Sequence, residues 1–261
     1  MRMARALVAA TASVLALASC SGAGDREEAT ATASAGSAPG TLDRCVTPAP
    51  AGLEVTERVL DVAEGVELPA VAFGSGDVAL VLLHQTNGDG LCGWAPFAVR
   101  AAERGLSALA FDMCGYGDSI CPPDWSERSP DQVRAAVDLA RQELGAQRVV
   151  LIGASLGGAR SVYSMAAGVP ADAWVNVSGP PAYDGLVVAD EAGKVTAPGL
   201  VVYDPSDGDA EFAAARVTAR RAGAEFVRGT GGHGYDILFD PDGTLTSIGR
   251  RVLAFAAGSG S

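Results

Sequence analysis

The sequence predicts an α/β domain built on a mostly parallel sheet with helices on both faces. Three observations carry this reading. Short apolar runs at 78–83, 106–111, 149–152, 173–177 and 200–203 lack the in-out alternation of a half-solvated strand, as expected for strands covered on both sides. Stretches of helical spacing separate most of them at short intervals, the pattern of right-handed βαβ units. The third is Val149-Val150-Leu151-Ile152-Gly153-Ala154-Ser155-Leu156-Gly157-Gly158, an apolar run passing through Gly-x-Ser-x-Gly into a helix-compatible segment. That context makes Ser155 a nucleophile at a sharp strand-to-helix turn.

Taken in order, residues 55–62 and 66–73 read as two strands around the turn Ala63-Glu64-Gly65. The strand at 78–83 leaves through a polar, Gly-rich loop, 84–90. A helix follows at 94–104, with Pro96 tolerable in its first turn and Gly105 as its stop. The strand at 106–111 opens into a second polar loop, 112–119, prolonged by Pro122-Pro123. Ser129-Pro130-Asp131 begins a helix with serine as cap. Its inner face is Val133, Ala136, Val137, Ala140 and Leu144. Beyond the elbow, strands are expected at 173–177, 200–203 and 224–227, and helices at 209–223 and 245–256. The loop at 229–234 carries a histidine between glycines.

The first residues read as an address. Arg2 and Arg5 precede a short apolar core at 6–18, too short to span a bilayer permanently. Leu17-Ala18-Ser19-Cys20 resembles a bacterial lipobox. The resemblance implies a signal peptide at 1–19, lipidation of Cys20 and attachment to the cell membrane outside the cytoplasm. Two or more acyl chains suffice for stable attachment. Residues 20–41, rich in Ala, Gly, Ser and Thr, are expected as a flexible tether. The folded domain is expected at 42–257 and a frayed tail at 258–261.

The chain of 261 residues carries 19 basic and 31 acidic side chains, a net charge of −12. That disfavours nucleic acid and anionic surfaces as partners. With Cys20 assigned to lipid, Cys45, Cys92, Cys114 and Cys121 remain. An even number in an oxidising compartment points to two disulfides. Three connectivities are open. Cys92 and Cys114 follow successive strands, which favours Cys92–Cys114 with Cys45–Cys121.

A serine nucleophile needs a base, and the chain offers two histidines, His84 and His233. His84 ends a buried strand and should pack locally, whereas His233 sits in a Gly-rich loop after the last strand. The orienting acid should lie between Ser155 and His233, just past a strand. Asp204, Asp207 and Asp209 all qualify. Asp209 reads as a helix cap and Asp204 as aimed sideways before Pro205, so Asp207 is preferred. No metal-ligand spacing or phosphate-binding loop with its lysine occurs, and no metal or cofactor is implied.

These residues resemble the α/β-hydrolase superfamily, in particular serine esterases and dienelactone-hydrolase-like proteins, across residues 53–256. Leu82-Leu83-His84 resembles the end of the family's third strand. Asp112 through Gly115-Tyr116-Gly117-Asp118-Ser119 resembles its D-x-R-G-x-G-x-S stretch, and Pro198 to Asp207 matches its ten-residue count to the acid. The resemblance implies an eight-stranded sheet and the order nucleophile, acid, base, here Ser155, Asp207 and His233. It implies an oxyanion hole from the N–H groups of Leu156 and of Thr86 or Gln85. Two departures stand out: Gln85 replaces a common glycine, and Cys114 replaces an arginine, fitting a loop tied by a disulfide rather than by ion pairs. The segment between Pro180 and Pro198 is too short for a helical lid. The expected activity is hydrolysis of small-molecule or lipid esters by a monomer. A peptidase, a lipase-like enzyme and a non-catalytic surface lipoprotein remain alternatives.

Overall fold

The computed structural model describes residues 40–45, 50–87 and 89–259. The expected leader, Cys20 and the tether up to residue 39 lie outside the described residues. Thr41–Arg44 already forms a 3-10 turn, and Leu42 packs against the core. The folded part therefore includes Thr41, just before the expected boundary at 42. At the other end, Gly258 and Ser259 are ordered rather than frayed. Gly258, at φ +74°, donates its N–H to Phe255 O, and Ser259 donates to Ala254 O, the paired bonds of a Schellman cap.

The strands are β1 (Val55–Ala63), β2 (Val66–Phe73), β3 (Val78–Leu83), β4 (Ser107–Phe111), β5 (Arg148–Ala154), β6 (Ala173–Val177), β7 (Ala182–Tyr183), β8 (Leu186–Val187), β9 (Gly199–Tyr203) and β10 (Glu225–Arg228). Eight of them form one sheet in the order β1-β2-β4-β3-β5-β6-β9-β10. β1 pairs antiparallel with β2, and β2 with β4; the remaining pairings of this sheet are parallel. The helices are α1 (Ala95–Ala102), α2 (Ser129–Gln142), α3 (Leu156–Ala166), α4 (Val188–Ala192), α5 (Asp209–Ala222) and α6 (Ser247–Ala256).

The apolar strands divide their side chains between two cores, as the period of two demands. In β3, Ala79, Val81 and Leu83 join Val133, Val137 and Ala140 of α2 and Val162 of α3. Leu80 and Leu82 join Phe97 and Ala98 of α1 and Val252 and Leu253 of α6 on the opposite face. β5 splits likewise: Val149 and Leu151 to one side, Val150 and Ile152 to the other. The expected three-layer α/β architecture is the observed one.

The start of α2 differs from expectation. Ser129 does not cap α2: Arg128 holds the cap position, and the Ser129 hydroxyl is buried without a partner. Pro130 still occupies the first turn, where its missing N–H costs nothing. The connection from β6 to β9 holds only the β7–β8 hairpin and the five-residue α4, so no helical lid forms there.

The disulfide pairing expected from loop proximity is wrong. Cys45 pairs with Cys92 (Cα–Cα 5.2 Å), and Cys114 with Cys121 (5.7 Å). The loop after β4 closes on itself through Gly115 and Gly117, both at positive φ. Cys92 is met instead by the N-terminal segment. Among the described residues, no helix is long and apolar enough to cross a membrane.

Candidate active site

Ser155 stands between β5 and α3 with φ +48° and ψ −116°. A non-glycine residue there is strained, and the surroundings hold it. Its N–H donates to Val177 O at 2.8 Å, and its carbonyl accepts from Gly158 N at 2.8 Å and Ala159 N at 3.2 Å. A Cβ on Gly153 would strike the Gly157 carbonyl, and one on Gly157 the Leu83 carbonyl. The two glycines flanking the serine are thus required for β3, β5 and α3 to approach. Leu156 opens α3, so its N–H lacks an intrahelical acceptor and lies at the positive end of the helix dipole.

Asp207 and His233 are brought together: Asp207 Oδ1 lies 3.0 Å from His233 Nδ1. The Asp207 side chain is mostly buried at 14 % exposure, while that of His233 is 46 % exposed. Asp209 lies in the first turn of α5, with Gly208 in the cap position. Ser155 and His233 are not joined by a hydrogen bond. The His233 loop nevertheless borders the elbow, because a Cβ on Gly234 would lie 3.6 Å from Ala154 Cβ.

Asp204 does more than point aside. Its buried carboxylate accepts from Ser206 N at 2.8 Å, from the Ser206 hydroxyl, and from Gly231 N at 2.6 Å. Burial pushes its pKa up, but these donors outweigh burial and hold it below the usual carboxylate range. Asp204 thus fastens the turn that carries Asp207 to the loop that carries His233. An aspartate ahead of Pro-Ser at a strand end is a signal for such an Asx turn.

His84 is fully buried. Met113 N–H donates to its Nε2 at 3.0 Å, and Nδ1 lies 2.8 Å from Gln85 O. That pattern assigns the neutral ring with its proton on Nδ1. Burial lowers its pKa to about 4, against an opposing pull from the Gln85 carbonyl. His84 is therefore a structural ring holding the loop after β3. In that loop the Gln85 N–H donates to the Tyr235 hydroxyl at 2.9 Å, so of the two backbone donors proposed there, only Thr86 N–H is uncommitted among the described residues. Thr86 is exposed.

The contacts of two further groups escaped sequence reasoning. Asp112, fully buried, accepts from Leu91 N at 2.8 Å and Asp118 N at 3.0 Å, and pairs with Arg44 Nη2 at 2.5 Å. Arg44 also meets Asp118 at 3.0 Å. The loop is therefore held by ion pairs as well as by the Cys114–Cys121 bridge, with an arginine recruited from the N-terminal segment. Arg160, 1 % exposed, donates to Ser126 O at 2.9 Å, to the Tyr183 hydroxyl at 2.6 Å and to Met113 Sδ at 3.2 Å. It joins the β4–α2 connection to the β6–β9 connection at the carboxyl ends of the strands. No spacing in the sequence announces either contact.

A family model described as alpha/beta hydrolase fold matches residues 78–166. No curated protein matches in sequence. Among solved structures, the chain is similar to the Pyrococcus furiosus esterase Pf2001, with TM-score 0.64 and 16% identity, covering 79% of this chain and 93% of that one. A Klebsiella pneumoniae protein assigned as a dienelactone hydrolase gives TM-score 0.61 and 19% identity, covering 78% and 98%. The ferulic-acid-bound Est1E from Butyrivibrio proteoclasticus gives 0.55 and 17%, covering 66% and 88%. At these identities the likeness concerns the fold.

Proposed function

From its α/β-hydrolase fold and the groups gathered beside Ser155, we propose that the chain is a serine ester hydrolase. The observation that carries the reading is the 3.0 Å contact of Asp207 with His233, in a loop bordering the strained Ser155 turn. In this reading His233 Nε2 removes the Ser155 proton, and Oγ attacks the ester carbonyl. Asp207 holds the Nδ1 proton and stabilises the charged ring. The N–H groups of Leu156 and Thr86 receive the oxyanion. Collapse expels the alcohol, protonated by His233, and water repeats the sequence on the acyl-enzyme to release the acid.

The short β6–β9 connection favours small esters over long chains that need a covering lid. Ser155→Ala tests the assignment. The wild-type chain should hydrolyse short p-nitrophenyl esters and react with a fluorophosphonate probe, and the variant should do neither. Undiminished turnover in Ser155→Ala sinks the triad. A wild-type chain inert to both reagents favours the non-catalytic surface module.

We also propose that Cys20 carries a lipid anchor at the outer side of the cell membrane, on the strength of the Leu17-Ala18-Ser19-Cys20 pattern. Detergent phase partitioning of the full chain and of Cys20→Ala tests it. Equal partitioning of the two would refute the anchor.

A further inference from the structure

We propose that Tyr235 is a positioning residue that aims the oxyanion loop, in addition to closing the core beneath the base-bearing loop. The proposal rests on the hydrolase reading above and deepens it. Both backbone polar groups of Gln85 are engaged. Its N–H donates to the Tyr235 hydroxyl at 2.9 Å. Its carbonyl accepts from the His84 ring at 2.8 Å. That carbonyl belongs to the same planar trans peptide as the Thr86 N–H, which therefore points the opposite way. Fixing the planes on either side of Gln85 fixes the direction of the Thr86 donor.

Tyr235 is built to hold this contact. The residue is 8 % exposed, and its ring packs edge-on against Trp94, with centroids 4.9 Å apart at 74°. Gly93 lies so close to the ring that a Cβ there would overlap it. Burial raises the phenol's pKa, so the group stays neutral and its oxygen accepts from Gln85. Gly234, at φ +57°, turns the chain from His233 into Tyr235 and abuts the Gln85 carboxamide oxygen. The two residues that follow the base therefore both touch the residue that precedes the proposed donor. Base and oxyanion donor share one clamp.

Tyr235→Phe keeps the ring and removes the acceptor, leaving the half-buried Gln85 N–H without its partner. With short p-nitrophenyl esters, kcat should fall about tenfold, less than the loss of a whole oxyanion donor, with KM within about twofold of wild type. Amide hydrogen exchange in the peptide spanning 84–87 should quicken in both the Ser155 and the Ser155→Ala backgrounds, while exchange of β3 and β5 stays unchanged. Unaltered exchange at 84–87 would overturn the proposal, as would a raised KM with kcat intact. If the wild-type chain hydrolyses no ester, the hydrolase reading fails. The exchange measurement in Ser155→Ala then still decides whether Tyr235 holds the loop.

Discussion

Arg44 reaches the fully buried carboxylate of Asp112 at 2.5 Å, across 68 residues of sequence. Removing one member of such a pair leaves an uncompensated buried charge, and the typical loss is about 3 kcal/mol. Arg44→Ala should lower stability to urea by about that amount. Arg44→Ala with Asp112→Asn should lose less than the two single changes summed. A loss under about 0.5 kcal/mol in Arg44→Ala would mean that the N-terminal segment merely lies on the surface.

The proposed acid, Asp207, and its neighbour Asp204 should separate experimentally. Asp207→Asn should lower kcat by about 10³- to 10⁴-fold at neutral pH, because the imidazole loses the partner that sets its tautomer, with little change in melting temperature. Asp204→Ala should cost stability, about 2 kcal/mol, since Gly231 N, Ser206 N and the Ser206 hydroxyl lose their acceptor. A thermal melt beside an ester assay distinguishes them. The assignment of Asp207 fails if Asp204→Ala spares stability and Asp207→Asn spares turnover.

Acid stability should depend on His84. Its pKa is 6.5 unperturbed and about 4 in the fold. Between those values the unfolded chain binds a proton that the native chain does not, so stability falls as pH drops through that window and is untouched above it. The difference amounts to roughly 3 kcal/mol at full extent. Urea midpoints at pH 7 and pH 4.5 should fall further for wild type than for His84→Gln. Parallel decreases would exclude His84 as the group responsible.

The two disulfides should contribute unequally. Cys45–Cys92 closes a loop of sequence separation 47, and Cys114–Cys121 one of 7. Loop-closure entropy then gives about 4 kcal/mol for the first and about 2 kcal/mol for the second. Paired Cys→Ser variants in denaturant check the order, and non-reducing peptide mapping checks the pairing. Recovery of a Cys92–Cys114 peptide would contradict this connectivity.

Much of the fold was legible because its signals are local. Continuous apolar runs such as 78–83 declare two-sided burial, and Gly153-Ala154-Ser155-Leu156-Gly157 declares a tight strand-to-helix turn. Among three aspartates, Asp207 could be preferred because Asp209 sits at a helix start and Asp204 precedes proline. What stayed hidden is set by contacts through space. Cys45 meets Cys92 only because Thr41–Arg44 folds back onto the sheet and Arg44 seeks Asp112. The Gln85 N–H is occupied because Tyr235, 150 residues later, packs beneath it. The β7–β8 hairpin has strands of two residues, below the length at which alternation can be read.

The Ser155 backbone has a consequence for how this protein would trade endurance against the proposed activity. At φ +48° a serine is held in a conformation that costs about 1–3 kcal/mol, a tension maintained by the hydrogen bonds from β6 and α3. Glycine would relax it, against an added entropic cost of folding of about 0.5–1 kcal/mol. Ser155→Gly should therefore melt higher than wild type, by the equivalent of about 1 kcal/mol, while Ser155→Ala should not gain as much. The most stable version of this chain would be one that has given up the hydroxyl proposed as its nucleophile.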